Sequence, residues 1–349
     1  MMVSSSTSTM GFDSYAGKPP SVSWWVSVLI AAIALAVVIP ASGDIAVQLD
    51  LSLALILCLL ALSMSFLWGY VGILSFGQTI FFGLGGYTYA LFSLNTDMSG
   101  LAFVFAIIVP MLFAMVLGYF MIYGRISDIY LSVITLVVTL IFEKGVRATS
   151  GPEYVISSVR LNGQNGIPGL PGLPYTFGPL DLQSIEGIFY LSLFALVVTY
   201  VGIRLFLVSS SGRIMVGIRE NERRMELLGY DSRLYKLFAF IIASGIAGLA
   251  GGLYAVWGNF VGPEMFSLNQ AAMVVIWVIV GGRSTLIGPI LGTLLIQYLT
   301  TWLGTVGVGQ VTLVLGVILI MCVLLFPQGL VPTFRDLVKG LFTPKVKGA

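Results

Sequence analysis

Leu51 to Tyr70 reads LSLALILCLLALSMSFLWGY, an apolar run of twenty residues with no charge. As a helix it would rise about 30 Å, the thickness of a bilayer's hydrocarbon core. The run is continuously apolar rather than alternating, which argues against a β-barrel, and only a helix satisfies its own backbone groups in lipid. Nine further runs repeat the signal. They are Trp24 to Pro40, Phe76 to Leu94, Leu101 to Tyr123, Ile129 to Phe142, Ile188 to Val208, Tyr235 to Trp257, Phe266 to Val280, Leu286 to Leu303 and Val311 to Phe326. With 58% hydrophobic residues, 9% charged residues and a mean hydropathy of +1.01, the chain reads as an all-α polytopic membrane protein of about eight to ten spans.

The same composition closes off several chemistries. Histidine is absent, which removes the commonest general base and zinc ligand, and no carboxylate cluster replaces it. Cys58 and Cys322 each stand alone in an apolar run and form neither a disulfide framework nor a thiolate metal site. No catalytic residue, metal site, bound cofactor or nucleic-acid partner is expected; the surrounding partner is membrane lipid.

The organisation follows from the spans. Residues 1–23 form a polar, Ser- and Thr-rich segment without the basic flank and cleavage site of a signal peptide. Residues 24–330 hold the spans, with loops at 150–186 and 209–235, and 331–349 form a basic tail. With the N-terminus inside, the inward segments carry fourteen basic residues: Lys18, Arg125, Arg204, Arg213, Arg219, Arg223, Arg224, Arg233, Lys236, Arg283, Arg335, Lys339, Lys345 and Lys347. The outward ones carry Lys144, Arg147 and Arg160. Lys and Arg accumulate in short cytoplasmic loops, so this bias places both termini inside a plasma (inner) membrane.

Two glycine-rich stretches interrupt the pattern. The first holds Gly77, Gly83, Gly85 and Gly86; the second, GGRSTLIGPILG, holds Gly281, Gly282, Gly288 and Pro289. Such segments in both halves either unwind to line a translocation path or let helices pack closely. Beside them lie polar, uncharged residues: Gln78, Thr79, Tyr87, Thr88 and Tyr89 near the first stretch, Asn269, Gln270 and Trp277 near the second. These suit a neutral or zwitterionic solute, though each can equally be a packing hydrogen bond between helices. No Asp, Glu, Lys or Arg is expected deep within a span, so the energy for any pumping is expected from outside the chain. The outward loop carries GIPGLPGLP, Gly166 to Pro174, a stiff extended segment that is either a docking surface or a connection.

The charge that the spans lack is concentrated in GIRENERRMELLG, Gly217 to Gly229. Met215, Ile218, Met225 and Leu228 recur at roughly helical spacing, Glu220 and Arg224 stand four apart, and Gly229 ends the pattern. One short amphipathic helix on the cytoplasmic side is predicted. By pattern alone it is either a solvated connection or a surface read by a partner.

IRENERRMELLG, followed by YKLFAFIIASGIAGLAGGLY, resembles the cytoplasmic coupling segment of branched-chain amino acid type ABC transporter permeases, a group that includes urea permeases. GYVGILSFGQTIFFGLGGYTYAL (Gly69 to Leu91), NGIPGLPG (Asn165 to Gly172), GGRSTLIGP (Gly281 to Pro289) and FPQGL (Phe326 to Leu330) follow the same order. The resemblance covers about Leu51 to Leu330 and is closest to the LivM-like type. It implies a non-catalytic importer subunit that pairs with a second homologous permease. Two cytoplasmic ATPases using ATP and Mg and a periplasmic or lipid-anchored solute-binding protein complete the assembly. Carried over, Arg219, Glu220, Asn221, Glu222, Arg223 and Arg224 meet the ATPase. The chain has no Gly-x-x-x-x-Gly-Lys-Ser/Thr loop of its own, which fits. Gln78 stands where many of these permeases have His, Met225 replaces a usual Ala, and Ser284 a frequent Gly. A Gln amide at position 78 suits urea or a short amide as well as an amino acid, so both solute classes stay open. An ATP-independent channel or secondary carrier would explain the glycines and the neutral lining but not the coupling-like loop.

Overall fold

The computed structural model describes residues 21–334 except 42, 97, 125, 178–179, 307–309 and 327. The expected polar N-terminus up to residue 20, most of the basic tail, and Lys18, Arg125, Arg335, Lys339, Lys345 and Lys347 lie outside the described residues.

Twelve α-helices are described. They are α1 (Val22–Ala41), α2 (Ile45–Ser65), α3 (Gln78–Thr96), α4 (Ser99–Tyr123), α5 (Asp128–Ala148), α6 (Ile185–Val208), α7 (Ser210–Glu220), α8 (Glu222–Leu227), α9 (Ser232–Gly258), α10 (Leu268–Gly281), α11 (Ile287–Thr305) and α12 (Val311–Leu325). Ten coincide with the ten apolar runs; α7 and α8 form the charged loop. The protein is an all-α polytopic membrane protein. Six helical stretches are long and apolar enough to cross a membrane by length and composition, whereas α1, α10 and α12 contain shorter apolar runs.

Asp44 starts α2 by accepting the N–H groups of Ala46 and Val47, donors that a helix start leaves unpaired. From Ala54 to Phe66 every residue of this stretch is buried, as expected of a helix that is apolar all round and surrounded by protein. It packs against α6, α9, α10 and α11. Its last turn widens into a π-helix, Phe66–Val71, closed by Gly72 at φ +90°, and residues 73–77 connect to α3.

The glycines of α3 do not break it. Gly85 and Gly86 sit within one continuous helix, correcting the expectation of a break there. A Cβ on Gly85 would strike the Gly248 backbone of α9, and one on Gly251 the Phe82 carbonyl of α3, so absent side chains let two backbones meet. The interruption in this half lies earlier, at the π-turn. In the second half α10 ends at Gly281, and Gly282 takes φ +105°. Gly288 and Pro289 fall in the first turn of α11, where Pro costs least. A Cβ on Gly281 would collide with the Gly288 carbonyl.

Helix α5 runs further than the sequence suggested, to Ala148 rather than Phe142. The charges at Glu143, Lys144 and Arg147 read as loop, yet Glu143 and Arg147 are four apart and pair at 3.0 Å, which supports the last turns. Glu143 is thereby buried inside a helix, as is Arg204 in α6; each lies within the last two turns of its helix rather than deep within a span.

Residues 149–184 cover the end of the bundle remote from α7 and α8, here called the distal end. Two short hairpins, β1 (Val155–Ile156) with β2 (Val159–Arg160) and β4 (Thr176–Phe177) with β5 (Leu180–Asp181), flank a strand β3 (Ile167–Pro168). β3 pairs antiparallel with β6 (Phe260–Val261), just after α9. Ile167, Leu170 and Leu173 are buried, and the Tyr89 hydroxyl donates to the Pro171 carbonyl at 2.6 Å. The Gly-X-Pro stretch is therefore seated on the bundle rather than standing free.

Candidate functional site

The predicted single amphipathic helix is two. Asn221 adopts an extended conformation (φ −160°, ψ 94°), ending α7 and capping α8 through its side-chain oxygen, which accepts the Arg224 N–H at 2.9 Å. The bend defeats the expected Glu220–Arg224 pair; Glu220 instead pairs with Arg219 at 2.6 Å. Met215 and Ile218 of α7 are buried, while Leu227 and Leu228 are exposed, so the apolar face is only half used within this chain. Gly229 follows at φ +90°, its N–H donating to the Glu226 carbonyl at 2.9 Å. Arg223 and Arg224 are exposed.

Two sets of contacts hold this segment to the bundle. Arg219 donates a hydrogen bond to the Gly69 carbonyl in the π-turn, and a Cβ on Gly72 would run into the Arg219 side chain. Gly69 also abuts the second interruption: a Cβ there would strike the Arg283 carbonyl, and the Arg283 guanidinium lies 5.4 Å from the centre of the Trp68 ring, a cation–π contact. The charged segment and both helix interruptions thus meet at one place. Lys236, near the start of α9, makes the second set, with Glu222 at 2.8 Å and Asp128 at the start of α5 at 3.7 Å. Burial alone would raise the Glu222 carboxyl, but the hydrogen bond and charge of Lys236, aided by Ser232 and Arg233, hold it below the ordinary glutamate range. A cavity of about 500 Å³ opens beside these ions, lined by Ser127, Asp128, Glu222, Glu226, Arg233 and Lys236 among others.

The polar residues proposed for a path are deeply placed but not gathered in one spot. Gln78 and Thr79 are buried at the start of α3; the Gln78 carbonyl oxygen accepts from Ser63 at 3.2 Å, and its amide nitrogen has no partner among the described residues. The Tyr87 hydroxyl and the Trp277 indole N–H are likewise buried and unpartnered. Tyr87 lies nine residues along α3 from Gln78, about 13 Å of helix rise. Gln270 is half-buried in the first turn of α10, where its N–H is capped by Ser267 at 3.1 Å.

A feature absent from the sequence reading lies on α5. Ser132, Thr135, Thr139 and Glu143 are all buried at spacings of three and four, making one polar stripe. The three hydroxyls donate back to carbonyls of their own helix, and Ser132 also reaches the Leu74 carbonyl at 2.8 Å. Three of the four lie within the apolar run Ile129 to Phe142, where their spacing of three and four is the signal that finds the stripe; Glu143 falls just beyond it.

This arrangement, a multi-pass helical bundle with interrupted helices tied to a charged segment between spans, defines a membrane protein of the transport class. The model of the branched-chain amino acid transport system / permease component family matches residues 48–325, and the chain belongs to that family. It is 27% identical over 304 residues to the high-affinity branched-chain amino acid transport system permease protein LivM of Escherichia coli (strain K12), covering 80% of this chain and 68% of that protein. The LivM protein of Salmonella typhimurium (strain LT2) is 26% identical over 302 residues with the same coverage. No solved structure matches the chain.

Proposed function

We propose that this chain is the non-catalytic permease subunit of an ATP-driven, binding-protein-dependent importer for branched-chain or other neutral amino acids. It sits in the inner (plasma) membrane with both termini in the cytoplasm. Its partners are a second homologous permease, two cytoplasmic ATPases that use ATP and Mg, and a periplasmic or lipid-anchored binding protein. The observation that carries this reading is the Arg219 contact. It ties the coupling segment to the Gly69 carbonyl of one helix interruption, which itself abuts the other at Arg283. A push on α7 and α8 then reaches the two places where the spans are least constrained by helical hydrogen bonding. The exposed Leu227, Leu228, Arg223 and Arg224 supply the face on which an ATPase would push. Motion of this kind is a shift between inward- and outward-open states, biased by whichever partner binds one of them better.

The test is uptake of labelled leucine, valine, alanine and urea by vesicles holding the chain with its co-encoded permease and ATPases. Amino acid uptake that requires both binding protein and ATP is expected. Uptake that needs neither overturns the importer reading in favour of a channel or carrier; import of urea alone moves the solute to the amide class.

A further inference from the structure

Helices α3, α5 and α10 converge, each touching the other two. The polar stripe of α5 faces the start of α3: Ser132 reaches the Leu74 carbonyl, and a Cβ on Gly77 would come within 2.9 Å of the Thr135 side chain. Three buried donors here have no hydrogen-bond partner among the described residues, the Gln78 amide nitrogen and the Tyr87 hydroxyl on α3 and the Trp277 indole N–H on α10. Buried polar groups are paired as a rule, so three exceptions on two adjoining helices need a reason. The short turn Pro263–Phe266 touches all three helices. Its buried apolar side chains fill notches that glycines leave in α3: a Cβ on Gly83 would strike the Phe266 ring, and one on Gly86 the Met265 methyl. The Phe266 ring centre lies 5.6 Å from that of Tyr87 and 5.8 Å from that of Phe142 on α5. An apolar knob in such a notch leaves it without breaking a hydrogen bond.

A strap holds the turn down. The turn follows β6, which pairs with β3, Ile167 opposite Val261 and Pro168 opposite Phe260. Gly166 takes φ +69°, and a Cβ on it would strike the Val261 carbonyl, so the two chains meet backbone to backbone. The Leu170 N–H donates to the Asn259 carbonyl at 3.3 Å, and the Tyr89 hydroxyl of α3 fastens Pro171. We infer that Met265 and Phe266 are the distal gate of a solute path between α3, α5 and α10, and that the pairing of β3 with β6 latches it. The inference rests on the permease reading and adds where the path closes. In the structure the gate is shut, and the Tyr87 hydroxyl stays buried with nothing to bond. Opening lifts Phe266 out of the Gly83 notch and parts β6 from β3, so the two states differ by a strand pairing that a partner at the distal end can bias.

Two variants probe the gate from opposite sides, in vesicles holding the full set of subunits and supplied with labelled valine, or with labelled urea where only urea enters. Phe266→Ala empties the notch. Uptake without ATP or binding protein is expected to rise about tenfold or more over the wild-type leak, and Phe266→Leu to bring it back down. Ile167→Cys with Val261→Cys locks the latch, because opposed residues of paired strands stand about 4.5–5.5 Å apart at Cα, within reach of a disulfide. After oxidation with copper phenanthroline, ATP-dependent uptake is expected to fall in step with the cross-linked fraction and to return with dithiothreitol, while each single-cysteine variant stays unaffected. A Phe266→Ala permease that assembles and leaks no more than wild type overturns the gate, and so does a cross-linked one that transports at the wild-type rate. Complete failure to cross-link denies the pairing and overturns the latch with it. If Phe266→Ala does not assemble, the cross-link decides alone. Wild-type uptake that needs neither ATP nor binding protein overturns the importer reading instead, and the oxidised against the reduced double variant still decides the gate.

Discussion

The contact between α3 and α9 and the contact between α8 and the bundle are opposite ways of joining two pieces of chain. In the first, Gly85, Gly248 and Gly251 bring helix backbones together with no side chain between them, so there is no slack to take up. In the second, α8 has no buried residue, and its described side-chain ties are ions and hydrogen bonds at its rim, led by Lys236 with Glu222. Close backbone packing is bistable at best and resists gradual deformation, whereas partly solvated ion pairs near a surface are worth about 1 kcal/mol or less each. The difference separates a fused unit of α3, α4 and α9 from the loosely tied α8, with Arg219 of α7 as the link to the helix interruptions.

The largest effect expected from breaking this contrast is in the fused unit. Gly251→Val places branched carbons against the Phe82 carbonyl, and overpacking against backbone exceeds the usual cost of about 1–3 kcal/mol. Monodisperse protein after detergent extraction should fall more than tenfold. Gly202→Ala, in α6 with nothing within 4 Å of the new carbon, should leave that yield unchanged or improve it. Next comes the coupling face. Reversing charges with Glu222→Lys and Arg223→Glu sets two cations against each other at Lys236 while altering an exposed neighbour. Insertion should survive, and ATP-dependent uptake and co-purifying ATPase should drop about tenfold; normal values for both would remove the docking assignment.

Smaller effects sharpen the picture at Lys236. Lys236→Met leaves Glu222 and Asp128 without their shared cation, and a double-mutant cycle with Glu222→Gln should give a coupling energy of about 0.5–1 kcal/mol by thermal unfolding. A cycle that closes to zero would mean that the pair contributes nothing to the fold. The smallest effect is the pH dependence of that tie. Because Glu222 is held below its unfolded value, its contribution is complete above the ordinary glutamate pKa of about 4.3 and disappears as pH falls through the lowered one. The melting difference between wild type and Glu222→Gln should therefore be flat from about pH 8 to 6 and shrink only in acid. A difference that grows on acidification would contradict the assignment.

Much of the fold was legible because a span needs one thing the sequence displays openly, a long apolar run. All ten runs became helices, and even the short Leu268–Gly281 was found within two residues. What escaped were matters decided by neighbours. Gly85 looks the same in a broken helix and in one pressed against Gly248, and only the position of α9 chooses between them. The helical spacing from Met215 to Leu228 hid the cap at Asn221, whose extended backbone stops one helix and starts another. Glu143 and Arg147 fall beyond the apolar run that ends at Phe142, and only their pairing one helical turn apart carries the helix on to Ala148. The charged segment stands out in the sequence by its composition, but its link to both helix interruptions depends on a side chain reaching a carbonyl 150 residues away.

That link is the account's central claim, and Arg219→Met tests it most directly. In vesicles with the full set of subunits, ATP hydrolysis and solute uptake are measured on the same sample. The account predicts hydrolysis near the wild-type rate with uptake reduced at least tenfold, a loss of solute moved per ATP. Uptake at the wild-type ratio to hydrolysis would contradict it and leave Arg219 a packing residue.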